Sequence, residues 1–440
     1  MKVALLCGGI NKRMAPITRD KSLSNFVGKP LILHQINVAR EAGLSQFVIV
    51  ANPGNEADLK LAVAGIEGVD IHFAVQKEPM GMADALISAS ALLAEEPFIV
   101  VNPNDIFEVS AYTELLNEYH RGGGYSGYIV AHRVRSYFPG GYLMVDEDNE
   151  LSGIVEKPSE GDEPSDLVNI VVHLYTEPGK VLNYLAGTKS KTDDVYEKSL
   201  ELMIQDGHKM KAVVYEGTWQ AIKYPWHILD AMDYFLSRIS QRISPAAQIS
   251  DKAVIDGVVV IEDSARVLEG AVVRGPSYIG RNSIVGNGVL IRDSIVGNDC
   301  VVGFGTEIKH SYIGDKCWFH SNYIGDSVVE DDCSFGAGAV LANLRLDEAE
   351  IKIKIDDKKI GTGSSKLGAI IGKGCRIGVN ASIMPGVRVG AGSFVGAQVC
   401  LSRDLGEAKI AVDESRYQVL PNNIVLSEDR RQQLFRKLVD

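Results

Sequence analysis

Chemistry in this chain would begin at "KVALLCGGINKRM", where Gly8 and Gly9 follow a short apolar run and Asn11, Lys12 and Arg13 close the turn. A glycine-rich turn straight after a first strand is a place where backbone N–H groups can hold phosphate, and it is equally a plain tight turn. Asn11 and Lys12 stand where a tight phosphate loop would prefer Gly and a small hydroxyl residue. Asn tolerates positive φ better than other non-Gly residues, so the turn can survive that change. Further on, Glu156 and Lys157 precede Pro158, which reads either as a charged strand end or as a carboxylate and a cation serving a polar ligand. His320, in "FHSNYIGD", has the side chain best suited to moving a proton near neutral pH, or it is an ordinary corner residue.

The elements that must position these residues fall into two parts. Residues 1–240 alternate strand-like runs ("KVALLC", "QFVIVA", "IHFAVQ", "PFIVVNPN") with stretches of helical apolar spacing ("PLILHQINVAREAG", "NEADLKLAVAG", "GMADALISASALLAEE"). That order predicts an α/β, Rossmann-like domain with a mostly parallel sheet and helices on both faces. Ligands then sit at the carboxyl ends of the strands, in the turns 7–13, 76–84 and 102–107.

From Ile243 an aliphatic residue recurs every six positions, through Ile249, Ile255 and Ile261 to Ile291. After small slips the spacing resumes, and it runs to Leu401 with Gly, Asn and Asp at the intervening corners. Neither a strand nor a helix has this period; a parallel β-helix of hexapeptide repeats does, spanning 241–405. The polar, Lys-rich stretch 344–368 breaks the repeat and reads as an excursion loop. The tail 406–440 ends in "LSEDRRQQLFRKLVD", which reads as a short amphipathic helix.

The chain has 440 residues and a net charge of −12, which disfavours nucleic-acid binding and leaves small anionic substrates open. Six cysteines are scattered without a CxxC pair, as expected of reduced thiols in the cytoplasm. No apolar run is long enough to span a membrane, and the first residues do not read as a signal peptide.

The first 240 residues resemble the sugar-1-phosphate nucleotidylyltransferases and the solenoid resembles the hexapeptide acyltransferases, whose β-helices are left-handed. The combination resembles the archaeal-type bifunctional N-acetylglucosamine-1-phosphate uridylyltransferase/glucosamine-1-phosphate acetyltransferases. The resemblance implies that Gly8 and Gly9 approach base and phosphate, that Arg13 grips the leaving pyrophosphate and that Lys21 lies near the α-phosphate. In "VQKEPMGMADAL", Gln76 would read the base edge and Gly81 would let the base pack on backbone. Asp105 in "NPNDIF" would ligate Mg²⁺. Gly141, Glu156 and Asn169 would contact the sugar, and Lys157 its phosphate. In the second part His320 would be the general base for attack of a sugar amine on acetyl-CoA, with Tyr323, Asn343 and Lys352 in the site. His310 has similar surroundings but lacks the Tyr three residues on. Lys366, Lys373 and Arg376 are matched to the coenzyme A phosphates by charge alone. Homotrimers with sites between subunits are expected on the same basis.

This chain departs from the family at three places: Asn11-Lys12 replace Gly-Thr, Ala221 replaces the second metal carboxylate after Trp219, and Ala349 replaces a lysine. The expected substrates are a nucleoside triphosphate (UTP or dTTP) and a sugar 1-phosphate (N-acetylglucosamine-1-phosphate or glucose-1-phosphate). The alternatives are a nucleotidyltransferase with the β-helix as trimer scaffold, and a non-catalytic regulatory homologue.

Overall fold

The four apolar runs of the first part form the parallel centre of a nine-stranded sheet, in the order Asp70–Val75, Gln46–Ala51, Lys2–Leu6, Phe98–Val101. Alternate residues of the first strand serve opposite faces: Val3 and Leu5 join one buried cluster, Ala4 and Leu6 the other. A strand covered by helices on both faces must be apolar throughout, which is why these runs do not alternate. Beyond Phe98–Val101 the sheet becomes mixed. Leu167–Tyr175 runs antiparallel to it and carries Gly127–Arg133 and the hairpin Gly141–Val145/Leu151–Glu156 on its far side. The structure, a computed structural model, describes residues 1–191, 194–413 and Pro421. The helix expected in "LSEDRRQQLFRKLVD" lies outside the described residues.

The second part is a three-sided prism of parallel strands, each side one sheet of eight or nine short strands. Ile261 pairs with Ile279, Ile279 with Val296, Val296 with Ile313 and Ile313 with Val329. The coil length thus falls from 18 residues to 17 and then 16, and these shortened corners are the slips in the sequence pattern. The aliphatic residues stack inside, with Phe319 on Phe335 at 4.9 Å between ring centres. The ladder runs past the expected end at residue 405, because Ile410–Ala411 still pair with Phe394–Val395.

The excursion is not a free loop. Lys352–Ile355 and Lys358–Gly361 form a hairpin. Its Ile351, Ile353 and Ile355 alternate into the molecule and are buried, with lysines between them facing out. They join a cluster that also holds Trp226, Ile228 and Met232 at and within the helix His227–Leu236, Trp226 being its N-cap, and Val260, Tyr278, Ile295 and Val328 on the outer face of one prism side. That prism side is therefore apolar on both surfaces: one fills the solenoid, and the other docks the first domain.

Candidate active sites

The turns at the carboxyl ends of the central strands line one cavity of about 480 Å³. Gly8, Gly9, Lys12, Arg13 and Lys21 come from the first turn, Gln76 and Gly81 from the second, and Asn102 and Asn104 from the third. Lys157 and Lys223 close the far side. The glycine turn keeps its shape through Asn11, which adopts a left-handed conformation (φ 53°) and donates from Nδ2 to Asp20 at 3.0 Å. Asp20 also accepts from Asn55 Nδ2 at 3.0 Å and from the Ser22 amide at 2.8 Å. Asp20 thus ties Arg13's turn to the segment bearing Lys21. Sequence reasoning missed it, although it stands directly before Lys21.

Gly8 is required by a close approach: a Cβ there would lie 2.1 Å from Gln76 Oε1. Gln76 is almost fully buried, and its Nε2 donates to the Gly81 carbonyl at 3.0 Å and to Asp84 at 2.9 Å.

Asp105 lies on a short strand, Asp105–Phe107, paired antiparallel with Trp219–Ala221, so Ala221 stands directly across from it. Asp105 accepts from Asn102 Nδ2 at 3.2 Å. Burial pushes its carboxyl up to about 6, against the opposing pull of Lys223 and Lys21. Burial likewise draws the Lys223 ammonium down to about 8 and lowers Lys21, with Asp105 holding both up. Lys21 Nζ donates to the Ile222 carbonyl at 3.2 Å. Lys223 Nζ donates to the Pro139 carbonyl at 2.9 Å and lies 3.6 Å from the Phe138 ring centre.

The residues expected around the sugar do meet. A Cβ on Gly141 would come within 2.7 Å of Asn169 Nδ2 and 3.1 Å of Glu156 Oε2, so these three share one spot. Lys157 has φ 48° and turns its ammonium back onto Glu156 as an ion pair. A left-handed non-glycine residue at a ligand site is strain held in place by its surroundings. Glu156, Lys157, Gly81 and Met82 border a smaller hollow of about 180 Å³ beside the main cavity.

The second constellation is split. Tyr323 Oη and Asn343 Nδ2 both overhang Gly325, where a Cβ would meet them at 2.7 and 2.8 Å. Asn343 also contacts Asp326, which receives Lys309 at 2.9 Å and His310 Nδ1 at 2.8 Å. His310 reaches Asp233 of the first domain with its other nitrogen, at 3.1 Å. The two aspartates raise it to about 10, so near neutral pH it is a charged bridge between domains rather than a base. His320 sits exposed on the corner after Trp318–Phe319, and Asn343 on the corner after Val340–Leu341, which belongs to a different side of the prism.

The three cations matched to coenzyme A have different surroundings. Lys366 is exposed in the excursion, and Arg376 is paired with Asp332 at 3.1 Å. Lys373 lies in a cavity between the two domains together with Arg19, Glu330 and Asp331. Charge alone could not distinguish these three surroundings. Lys352 is exposed on the edge of the excursion hairpin.

The described residues include no helix long and apolar enough to cross a membrane. The nucleotidyl transferase family matches residues 2–234, and the bacterial transferase hexapeptide family (six repeats) matches residues 258–293 and 368–403. A bifunctional sugar-1-phosphate nucleotidylyltransferase/acetyltransferase of Sulfurisphaera tokodaii is 31% identical over 438 residues, covering 92% of this chain and 98% of that protein. The bifunctional protein GlmU of Methanococcus maripaludis is 30% identical over 426 residues, covering 92% of this chain and 95% of that protein. GlmU of Methanocaldococcus jannaschii is 28% identical over 427 residues, covering 92% and 96%.

Proposed function

This chain belongs to the nucleotidyl transferases that carry a hexapeptide-repeat domain, the bifunctional sugar-1-phosphate nucleotidylyltransferase/acetyltransferases, and on that premise we propose how its two sites divide the work. The first domain transfers a nucleotidyl group from UTP or dTTP to a sugar 1-phosphate, N-acetylglucosamine-1-phosphate or glucose-1-phosphate, with release of pyrophosphate. The solenoid transfers the acetyl group of acetyl-CoA to the amine of an amino-sugar 1-phosphate. The observation that carries the first assignment is the convergence of Gly8, Gly9, Arg13, Lys21, Gln76 and Lys157 on one cavity at the carboxyl ends of the strands.

Both partners in nucleotidyl transfer are anions, so the protein must bring them together and neutralise charge rather than form covalent bonds. Arg13 and Lys21 face the triphosphate, and Lys157 meets the phosphate of the sugar. Gly141, Glu156 and Asn169 hold sugar hydroxyls. Gln76 and Gly81 hold the base.

Asp105 is the carboxylate that would hold a Mg²⁺ ion at this end of the cavity, and with Ala221 across the strand the rest of the ion's shell would come from substrate phosphates and waters. Asp105 also faces two ammonium groups, and the described residues include no cluster of three acidic, His or Cys side chains suited to a metal. Mg²⁺ is commonly held by one or two carboxylates together with substrate phosphates and waters, so a single protein carboxylate leaves most of the shell to the triphosphate. We assign the remaining positive charge at this end of the cavity to Lys21 and Lys223, with the divalent ion arriving as part of the triphosphate substrate.

In the solenoid, His320 accepts the amine proton while Tyr323, Asn343 and Lys352 hold the substrate. His320 and Asn343 follow strands on different sides of the prism, and a homotrimer, in which neighbouring copies add their edges to the site, accords with that division. Six free cysteines accord with the reducing cytoplasm. Two assays test the reading: thiol release from acetyl-CoA with glucosamine-1-phosphate, and pyrophosphate release from each nucleoside triphosphate with N-acetylglucosamine-1-phosphate. His320→Ala should abolish the first alone; loss of both would contradict the division, and no activity in wild type would leave a non-catalytic protein.

A further inference from the structure

Gln76 has an amide with two faces, an oxygen that accepts and a nitrogen that donates, and which one meets the base decides which bases fit. Its surroundings settle that choice. Nε2 has two hydrogens and two acceptors: the Gly81 carbonyl at 3.0 Å and the Asp84 carboxylate at 2.9 Å. Both partners only accept, so a flipped amide would set its oxygen against two oxygens. Oε1 is left lying over the bare α-carbon of Gly8, and no donor among the described residues reaches it. Gly8, Gly81 and Gln76 all line the main cavity.

We propose that Asp84 is a specificity-determining positioning residue: by holding Nε2 it makes Gln76 an acceptor-only reader, and the site therefore takes triphosphates whose base presents a ring N–H. The inference rests on the nucleotidyl-transfer reading above and names the residue that enforces its choice of base. Uracil and thymine carry that N–H at N3. Cytosine has the same outline but a bare N3, so its nitrogen lone pair would face the Oε1 lone pairs. A site built to pair with a substrate N–H rejects the analogue lacking it, because buried polar groups on both sides are then unpaired. Asp84 lies in the first turn of the helix Gly81–Ser88, which also fixes its direction toward Gln76.

The experiment compares UTP with CTP on each protein, by pyrophosphate release with N-acetylglucosamine-1-phosphate. The wild type should favour UTP in kcat/KM by at least about 100-fold, and up to about 10⁴-fold for a fully formed hydrogen bond. Asp84→Ala removes one of the two acceptors that hold Nε2, leaving only the Gly81 carbonyl against a turned amide, and should lower that ratio by at least about tenfold, with CTP gaining and UTP losing. Asp84→Asn can still accept from Nε2 through its own carbonyl and should restore most of the ratio. A fault in folding alone would lower both rates and leave the ratio in place. Wild-type activity with a ratio unmoved by Asp84→Ala, or a wild type equally active with CTP, would overturn the role of Asp84. A wild type that releases pyrophosphate from no triphosphate would overturn the nucleotidyl-transfer reading and the Asp84 proposal with it.

Discussion

Asp105 and Lys223 titrate toward each other because both are taken out of water and neither is fully neutralised. Burial raises the carboxyl to about 6 and lowers the ammonium to about 8. An ionised carboxylate beside a charged lysine therefore exists mainly between those values. If this pair organises the phosphate end of the cavity, kcat/KM for nucleotidyl transfer rises as pH climbs through about 6 and falls as it passes about 8. Lys223→Met should remove the alkaline limb; a pH profile identical to wild type would exclude the role. The same residues make Ala221 informative. Ala221→Asp adds a carboxylate across the strand from Asp105 and should create a dependence on divalent ions beyond that of the triphosphate itself. Titrating Mg²⁺ at a fixed excess of triphosphate measures it, and superimposable curves for the two proteins would count against lysine in place of a second metal carboxylate. The odd pair Asn11-Lys12 separates here as well. Asn11 is structural, a left-handed residue bonded to Asp20, whereas Lys12 projects at the cavity rim.

At the scale of elements, the excursion 344–368 changes most between sequence and structure. Its lysines suggested a solvated loop, and the apolar residues between them have too short a run to announce a hairpin. Yet Ile351, Ile353 and Ile355 alternate, and that alternation is a strand pattern with one face buried. Ile353→Ala removes side-chain volume from a packed contact and should cost about 2–5 kcal/mol locally. The expected outcome is a lower melting temperature and a loss of acetyl transfer greater than the loss of pyrophosphate release, since Lys352 rides on this hairpin. Equal loss of both activities would show that the hairpin serves only the domain seam. The cysteines also acquire a meaning at this scale. Cys300, Cys317, Cys333 and Cys375 occupy one corner of successive coils, each with its Sγ near a carbonyl of the next. They act there as small buried fillers, in register with Ser283 and Ser393.

At the scale of the molecule, the two domains are not independent modules on a linker. Glu330 of the solenoid is buried and accepts from the Thr18 amide at 3.1 Å, the Thr18 hydroxyl at 2.8 Å, the Arg19 amide at 2.7 Å and the Lys373 amide at 2.8 Å. Arg19 adds an ion pair with Asp331. Thr18 and Arg19 lie between Arg13 and Lys21, so a solenoid carboxylate fixes the segment that joins two candidate phosphate ligands. Glu330→Gln keeps the size and removes the charge. It should destabilise the protein by about 1–3 kcal/mol and lower nucleotidyl transfer, although the residue belongs to the other domain. Unchanged melting and unchanged pyrophosphate release would show that the seam is passive.

Much of this was legible in the sequence. The six-residue period determined the prism, because a flat face of fixed length admits one inward residue per repeat. The buried strand runs and helical spacing determined the parallel centre of the sheet, and with it the three turns that line the cavity. Gly141, Glu156 and Asn169, each singled out from its own motif, lie together in the fold. What the sequence left undecided depends on contacts between distant segments. That Lys373 faces the first domain, that His310 bridges Asp326 and Asp233, and that Asp84 orients Gln76 are consequences of packing. A charge carries no mark of its partner along the chain. Only the tertiary structure sets which ions share a buried space, and there desolvation and neighbouring charges decide what each one does.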